Sequence, residues 1–381
     1  MIVALYGTLM RYKIAFNFPF FEQKNLLHAH SHFAFSGWIS HFLYCGLVYW
    51  IHPALSPGKS KKYYLLIAAN LISAFGMLVS FTIQGYKFVS ISFSTLSILI
   101  SFAFLLFFIK DLRHRLPVRK EVKSWALTSL LLNVIAAAGP SSLAWMMATK
   151  NINHELYLAS VYYYLHFQYN GWFFFAAMGI IIHYLPADTP SLKKYFRLFA
   201  FTIVPTFFLS ILWVKMPLWL YILTVAATML QLGAWVGLLK KLRPVFSRMT
   251  PTAGMQWIRV FFYAAAIAIT IKFTLQAISV IPSLSQLVFG IRPIVIAYLH
   301  LVLLGVYSLF VIGYLFMRGY LVPSRLSVTA AFIFLAAVIL HELLLGLQGF
   351  AAFSYFPIPY MSEMLFGAAA LLLLSASGIL I

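Results

Sequence analysis

Three histidines lie close together near the N-terminus, in the run LHAHSH at residues 27–32. Imidazole ligates metals and haem iron, and its unperturbed pKa lets it carry protons near neutral pH. Residues i and i+4 share one face of a helix, so His28 and His32 have a spacing that suits a metal, whereas His30 points elsewhere. The run predicts either a ligand set or a partly solvated helix end.

Three further histidines stand alone inside other apolar segments: His166, His300 and His341. Ionisable residues at membrane depth are costly, usually face the protein interior, and mark functional sites. Each one could instead form an ordinary interhelical hydrogen bond. Several such histidines at one depth favour a shared functional layer over unrelated packing roles.

The composition requires that these residues be carried by membrane helices. Of 381 residues, 63% are hydrophobic and 9% are charged, whereas a soluble domain carries about 25% charged residues. Apolar runs of about 20 residues recur along the chain, each long enough to cross about 30 Å of hydrocarbon. Without water to satisfy the backbone such runs must be helical, so the predicted fold class is an all-α membrane protein.

About twelve transmembrane helices are predicted, within a single polytopic membrane domain covering residues 1–381. The first apolar run is too short to span, at roughly 15 Å for ten helical residues, and no sequence repeat is apparent. The predicted apolar spans are residues 1–10, 26–51, 63–84, 88–109, 125–148, 157–185, 196–214, 217–239, 257–281, 293–317, 326–349 and 362–381.

The basic residues predict the orientation of these spans. The loops after the even-numbered spans hold eighteen lysines and arginines, and the alternate loops hold seven. Basic loops stay on the cytoplasmic side, so both termini are expected to be cytoplasmic, in a bacterial inner membrane. The same distribution explains the net charge of +20 and argues against a nucleic-acid partner.

This orientation predicts one histidine layer in the outer half of the membrane. The cluster at residues 28–32 opens span two near the outer surface. At 1.5 Å per residue, His300 lies roughly 10 Å and His166 roughly 14 Å below the outer boundary. His341, on span eleven, also falls in the outer half. A bis-histidine haem needs two imidazoles on facing helices at one depth, and spans two and ten could supply them.

Short motifs resemble subunit I of the haem–copper oxidase and nitric oxide reductase superfamily. The run GTLMR at residues 7–11, followed by a polar link and the histidine-led span two, is similar to that family's first two helices. The run AYLH ending at His300, with Gly305 beyond it, resembles its helix-ten signature. The resemblance implies twelve helices with cytoplasmic termini and a low-spin haem b held by His300 and a helix-two histidine, best matched by His28.

The second metal site of that family is matched only in part. The run HFQYNGW at residues 166–172 is similar to the nitric oxide reductase pattern His-x-x-x-Glu-Gly-x-Trp, which places His166 at a metal-ligand position. However, Asn170 replaces the glutamate, Tyr298 replaces the histidine of the high-spin haem, and residues 196–214 lack the helix-seven histidines. Copper or iron is therefore expected only at an incomplete site, with His166 and His341 as candidate ligands, and Tyr298 as a further candidate haem ligand.

The expected function is accordingly haem-dependent electron transfer or nitric-oxide-related redox chemistry or sensing, rather than oxygen reduction. A weaker resemblance connects the His28-Ala29-His30 opening with NnrS-type haem–copper membrane proteins. The expected partners are the lipid bilayer and an electron-donor protein or quinone. Two alternatives stay open: a cofactor-free transporter whose histidines bind protons or substrate, and an assembly factor that delivers metal or haem.

Overall fold

The computed structural model describes residues 1–55, 57–112, 119–186, 188–248, 255–284 and 291–381. Within these ranges the chain consists of helices and connecting segments without any β-strand, which confirms the predicted all-α class. Arg113 and Arg115, two of the basic loop residues that predicted the orientation, lie outside the described residues.

Twelve helices of the described chain are numbered in order. They are α1 (Ile2–Ala15), α2 (residues 23–51), α3 (Pro57–Gln84), α4 (Phe88–Leu112), α5 (Lys120–Ala148), α6 (residues 154–183), α7 (Lys193–Thr202), α8 (Leu218–Arg248), α9 (Ile258–Ile278), α10 (Arg292–Met317), α11 (Arg325–Phe353) and α12 (Met361–Gly378).

Eight helices in the described ranges are long and apolar enough to cross a membrane, or nine if α7 and the short helix after it form one bent span. Helices α2 and α6 are equally long but fall outside the eight, because histidine, serine and amide side chains dilute their apolar residues. Helix α1 has 14 residues, or about 21 Å at 1.5 Å per residue. Length and composition thus support an all-α membrane protein with eight or nine spans.

The predicted span at residues 196–214 is broken by a bend. Helix α7 ends at Thr202, and a 3₁₀ helix, Pro205–Ile211, continues at an angle of 42°. Proline has no backbone N–H and its ring clashes with the preceding turn, so a helix breaks there. The break lies beside α6, the helix that carries His166, so it affects which groups this histidine can contact.

Helices α2, α6 and α10 form the centre of the bundle. Helices that follow one another in the chain pack together, and α12 returns to pack against both α11 and α1. Contacts between the three central helices include Trp38 Nε1, which donates to Ser308 Oγ at 3.0 Å, and the Tyr307 hydroxyl, which donates to the Tyr169 carbonyl. Their polar residues therefore face protein, as expected of polar groups at membrane depth.

Each central helix contains a π-helical segment that directly follows a histidine. The segments are Phe33–Ser40 after His32, Phe167–Phe173 after His166 and Leu301–Ser308 after His300. The three histidines are equally spaced along the chain, and a glycine follows each of them after five residues. The three stretches thus share one short repeated pattern, and π-helical turns within α-helices frequently occur at functional sites.

Two of these glycines allow a neighbouring helix to approach closely. A Cβ on Gly171 would lie 2.9 Å from Leu132 Cβ of α5, and a Cβ on Gly305 would lie 3.2 Å from Ala268 Cβ of α9. Small residues at helix crossings are the usual means of close packing in membranes. The glycines of the repeated pattern thus set how closely α6 packs against α5 and how closely α10 packs against α9.

Candidate functional site

Three histidines and one arginine from four helices meet at one place. The imidazole rings of His300 and His341 have their centroids 5.1 Å apart. His30 of α2 and Arg11 of α1 lie within electrostatic range of both rings and of each other. We call His30, His300, His341 and Arg11 the histidine cluster. Spans two, ten and eleven therefore each contribute a histidine to this cluster, and the first helix adds a permanent charge.

Helix α2 turns His30, rather than His28, towards this cluster. At 100° per residue, His30 lies on the opposite side of the helix from His28 and His32. A Cβ on Gly7 of α1 would lie 3.4 Å from His30 Cε1, so α1 covers this ring. The resemblance matches His28 best to the haem-ligand position, whereas the packing of α2 brings His30 to α10.

His300 is held in the orientation typical of an imidazole ligand. Its Nδ1 is 2.8 Å from the carbonyl oxygen of Ile296, one turn earlier in α10. A carbonyl only accepts, so Nδ1 carries the proton and Nε2 carries the lone pair. Ligating histidines commonly donate their other N–H to a backbone carbonyl, which fixes the tautomer and the ring orientation.

Other polar atoms at the histidine cluster are buried without a hydrogen-bond partner among the described residues. They are Nδ1 of His30, Nδ1 of His341 and Oε1 of Glu342, the last two being 3.9 Å apart. Buried polar atoms are normally paired, and each exception requires an explanation such as an ion or a catalytic role. In donor type, these imidazoles fit the bis-histidine haem that the resemblance implies.

His166 lies apart from the cluster and uses both ring nitrogens within the protein. Its Nε2 donates to the carbonyl of Ile203 at 2.8 Å, and its Nδ1 is 3.1 Å from Nδ2 of Asn170. The carbonyl is available because the break before Pro205 ends the α7 hydrogen-bond ladder. Asn170, at the position of the family's glutamate, accordingly orients His166. Metal ligation by His166 stays a prediction, and it would require one of these bonds to break.

No group of three or more histidine, cysteine, aspartate or glutamate side chains is arranged to hold a metal ion within the part of the chain that the structure describes. Tyr298 points towards α6, where its ring centroid is 6.0 Å from that of Tyr169. It is two residues before His300, which faces α11, so the two side chains diverge. A haem ligand at Tyr298 would therefore occupy a different side of α10 from a ligand at His300.

We expect His166→Ala to destabilise the protein. The substitution leaves Nδ2 of Asn170 without its partner, at a cost of about 1–3 kcal/mol for a buried unsatisfied group, and removes one of two hydrogen bonds to the Ile203 carbonyl, which also accepts from Thr206 Oγ1 at 3.3 Å. Thermal unfolding in detergent measures the loss. His154→Ala, at an exposed helix start, is the matched control. An unfolding temperature of His166→Ala equal to that of the wild type would contradict the assignment of His166 to packing.

His28 and His32 face the turn between α3 and α4. The His32 ring stacks on Phe81 with centroids 4.5 Å apart, and its Nε2 is 3.0 Å from the Tyr86 hydroxyl oxygen. His28 lies against the edge of Tyr86, at 4.6 Å between centroids, and its Nε2 is buried without a hydrogen-bond partner in the described chain. Desolvation raises the pKa of the Tyr86 phenol to about 12.

Two of these residues were missed by sequence reasoning. Arg11 was counted as a loop residue, yet it lies inside α1, one turn after the Gly7 that faces His30. The i, i+4 spacing of Gly7 and Arg11 is visible in the sequence and places both residues on one face of α1. Tyr86 gave no signal, because its contact with His32 depends on a turn 54 residues away.

The chain matches no protein-family model and no curated protein.

Proposed function

We propose that the protein is a haem-binding integral membrane protein related to subunit I of the haem–copper oxidases, in which His30 and His300 hold a low-spin haem b. The observation that carries the proposal is that these two imidazoles, from α2 and α10, lie within electrostatic range of each other, with His300 Nδ1 hydrogen-bonded to the Ile296 carbonyl. Such a pair would supply the two imidazole nitrogens that hold a low-spin haem iron.

The proposal includes the finer features implied by the resemblance. All twelve helices count as membrane segments, with α2 and α6 shielded from lipid by their neighbours. Both termini are on the cytoplasmic side of a bacterial inner membrane, as the basic loops predict. His30 and His300 would hold the haem, which would supply one-electron redox chemistry with a donor protein or quinone as the partner.

Residues of the chain have defined tasks around the haem. His300 keeps its Nε2 lone pair directed away from its own helix, because Nδ1 is fixed by hydrogen bonding. Arg11 offers a guanidinium that can pair with a carboxylate of the cofactor. Both ring nitrogens of His166 are hydrogen-bonded, one to the Ile203 carbonyl and the other to Asn170. Because these bonds compete with metal ligation, the residues support electron transfer or sensing better than reduction of oxygen or nitric oxide at a second metal.

The experiment is a reduced-minus-oxidised absorption spectrum with a pyridine haemochrome assay. The full chain is expressed with ample haem supply and purified in mild detergent, alongside His300→Ala and the control His154→Ala. We expect a sharp alpha band in the wild type and in the control, and its loss in His300→Ala. Absence of haem from the wild type would overturn the proposal.

A cofactor-free transporter is the second candidate, and one observation favours it. Glu342 and His341 are adjacent acid and base at the histidine cluster, with Glu342 Oε1 and His341 Nδ1 both unpartnered in the described chain. Such pairs occur in intramembrane proton relays. Proton uptake by proteoliposomes that contain haem-free protein, abolished by Glu342→Gln, would favour this function.

A further inference from the structure

We propose that His28, His32 and Tyr86 form a binding site for a divalent first-row metal ion, Cu²⁺ most tightly, separate from the histidine cluster. These three side chains meet where α2 begins and the α3–α4 turn folds over it. The site is built from the α2 face that the proposed haem pair does not use.

The distances suit a metal ion without rearrangement of the backbone. Two ligands about 2.0–2.1 Å from a metal are about 2.9 Å apart at the right angle of a tetragonal Cu²⁺ site and about 3.3 Å apart in a tetrahedral site. His32 Nε2 and the Tyr86 hydroxyl oxygen are 3.0 Å apart, so a metal can bridge them with a small adjustment of the side chains. Binding of the phenol oxygen as phenolate would release its proton to water.

His28 supplies the third donor and the reason to look for a ligand here. Its Nε2 is buried and has no hydrogen-bond partner in the described chain, although the ring is in contact with Tyr86. The i, i+4 spacing places it on the same helix face as His32. A buried imidazole nitrogen without a hydrogen-bond partner, on a ring beside a histidine and a phenol, is explained if a metal ion completes the set.

The turn that carries Tyr86 is rigid and tightly pressed against α2. Gly85 has a φ of +64°, and a Cβ there would lie 2.5 Å from Asn25 Oδ1 of α2. Ser90 Oγ donates to the Gly85 carbonyl at 2.7 Å and accepts from the Lys87 N–H at 2.9 Å. A site held by fixed elements loses little entropy when it binds its ligand.

The donor set determines the class of ion. Two imidazoles and one phenol oxygen suit Cu²⁺ and Zn²⁺ and are a poor match for Mg²⁺ or Ca²⁺, which take mainly oxygen ligands. Cu²⁺ binds most tightly to a given nitrogen and oxygen site among these ions. Tyr86 is 41% exposed, so ions can reach the site from outside the bundle.

The test is a titration of the metal-stripped full-length protein with CuCl₂, followed by electron paramagnetic resonance. The protein is purified in detergent with an affinity tag that lacks histidine. We expect one tight Cu²⁺ per chain with hyperfine coupling to two nitrogens, and displacement by excess ZnCl₂. Tyr86→Phe should weaken binding and remove any phenolate-to-copper absorption band while preserving the ring contacts.

Removal of either imidazole should weaken Cu²⁺ binding at least about tenfold, since even outer-shell partners of a metal are worth 10- to 100-fold. His154→Ala is the matched control and should bind normally. Lys24 lies within electrostatic range of His28, so Lys24→Gln should tighten binding and serves as a gain-of-affinity variant if alanine variants fail to fold. Unchanged binding in His28→Ala and His32→Ala would overturn the site, as would an unchanged affinity in Lys24→Gln and Tyr86→Phe.

Discussion

We expect His30→Ala to abolish the low-spin haem spectrum, whereas His28→Ala and His32→Ala retain it. His30 is the histidine of the α2 run that lies within electrostatic range of His300 and His341. The other two lie against Phe81 and Tyr86 on the opposite side of α2. In the proposed haem site His30 would be one of the two imidazoles that hold the iron, so its loss should remove the low-spin form.

The measurement is the intensity of the alpha band per polypeptide, with a pyridine haemochrome assay to count haem. A high-spin spectrum with haem retained would show that His300 still binds iron while the second axial position is lost. Loss of the band in His28→Ala, with His30→Ala normal, would instead support the match that the resemblance favours. Elution as a monodisperse peak in size-exclusion chromatography controls for folding in each variant.

Gly139→Ala should cost more stability than any other single-methyl addition proposed here. A Cβ at this position would lie 2.5 Å from the carbonyl oxygen of Ser160 and 3.1 Å from the amide nitrogen of Tyr164. Both atoms belong to the α6 backbone, which cannot rotate away as a side chain does. Overpacking of this kind costs about 1–3 kcal/mol, which exceeds the roughly 0.5–1 kcal/mol that alanine gains over glycine in a helix.

The matched control is Gly346→Ala in α11, where a Cβ would meet no atom within 4 Å. That variant should be neutral or slightly more stable, because only the helix-propensity gain remains. Thermal unfolding of both variants in the same detergent gives the comparison. An unfolding midpoint of Gly139→Ala equal to that of the wild type would show that α5 and α6 are not in contact at this position.

The sequence determined the class of the protein and the approximate place of each helix. Apolar runs without water can satisfy their backbone only as helices, so the all-α membrane class followed from composition and run length. The ends of α3, α4 and α10 lie within a few residues of the predicted spans, except that α3 begins six residues earlier than predicted. Pro205 indicates the break after α7, whereas the length of the apolar run at residues 196–214 alone predicts a single span.

The sequence also determined relative positions within one helix. Because a helix advances 100° per residue, His28 and His32 share a face and His30 lies opposite, whatever surrounds them. The equal spacing of His32, His166 and His300 was likewise present in the sequence. It became recognisable as a repeat only through the π-helical segments that follow each histidine.

Only the tertiary structure decided which face of each helix meets which neighbour. The rotation of α2 about its axis depends on packing by α1, α3 and α10, and it assigns His30 to His300 and His28 to Tyr86. Arg11 joins the cluster because α1 packs against α2 and α12. His166 donates a hydrogen bond to the carbonyl of Ile203, which lies 37 residues further along the chain at the break after α7. Periodicity fixes angles within a helix, whereas contacts between helices depend on side-chain packing summed over the whole bundle, which no local pattern encodes.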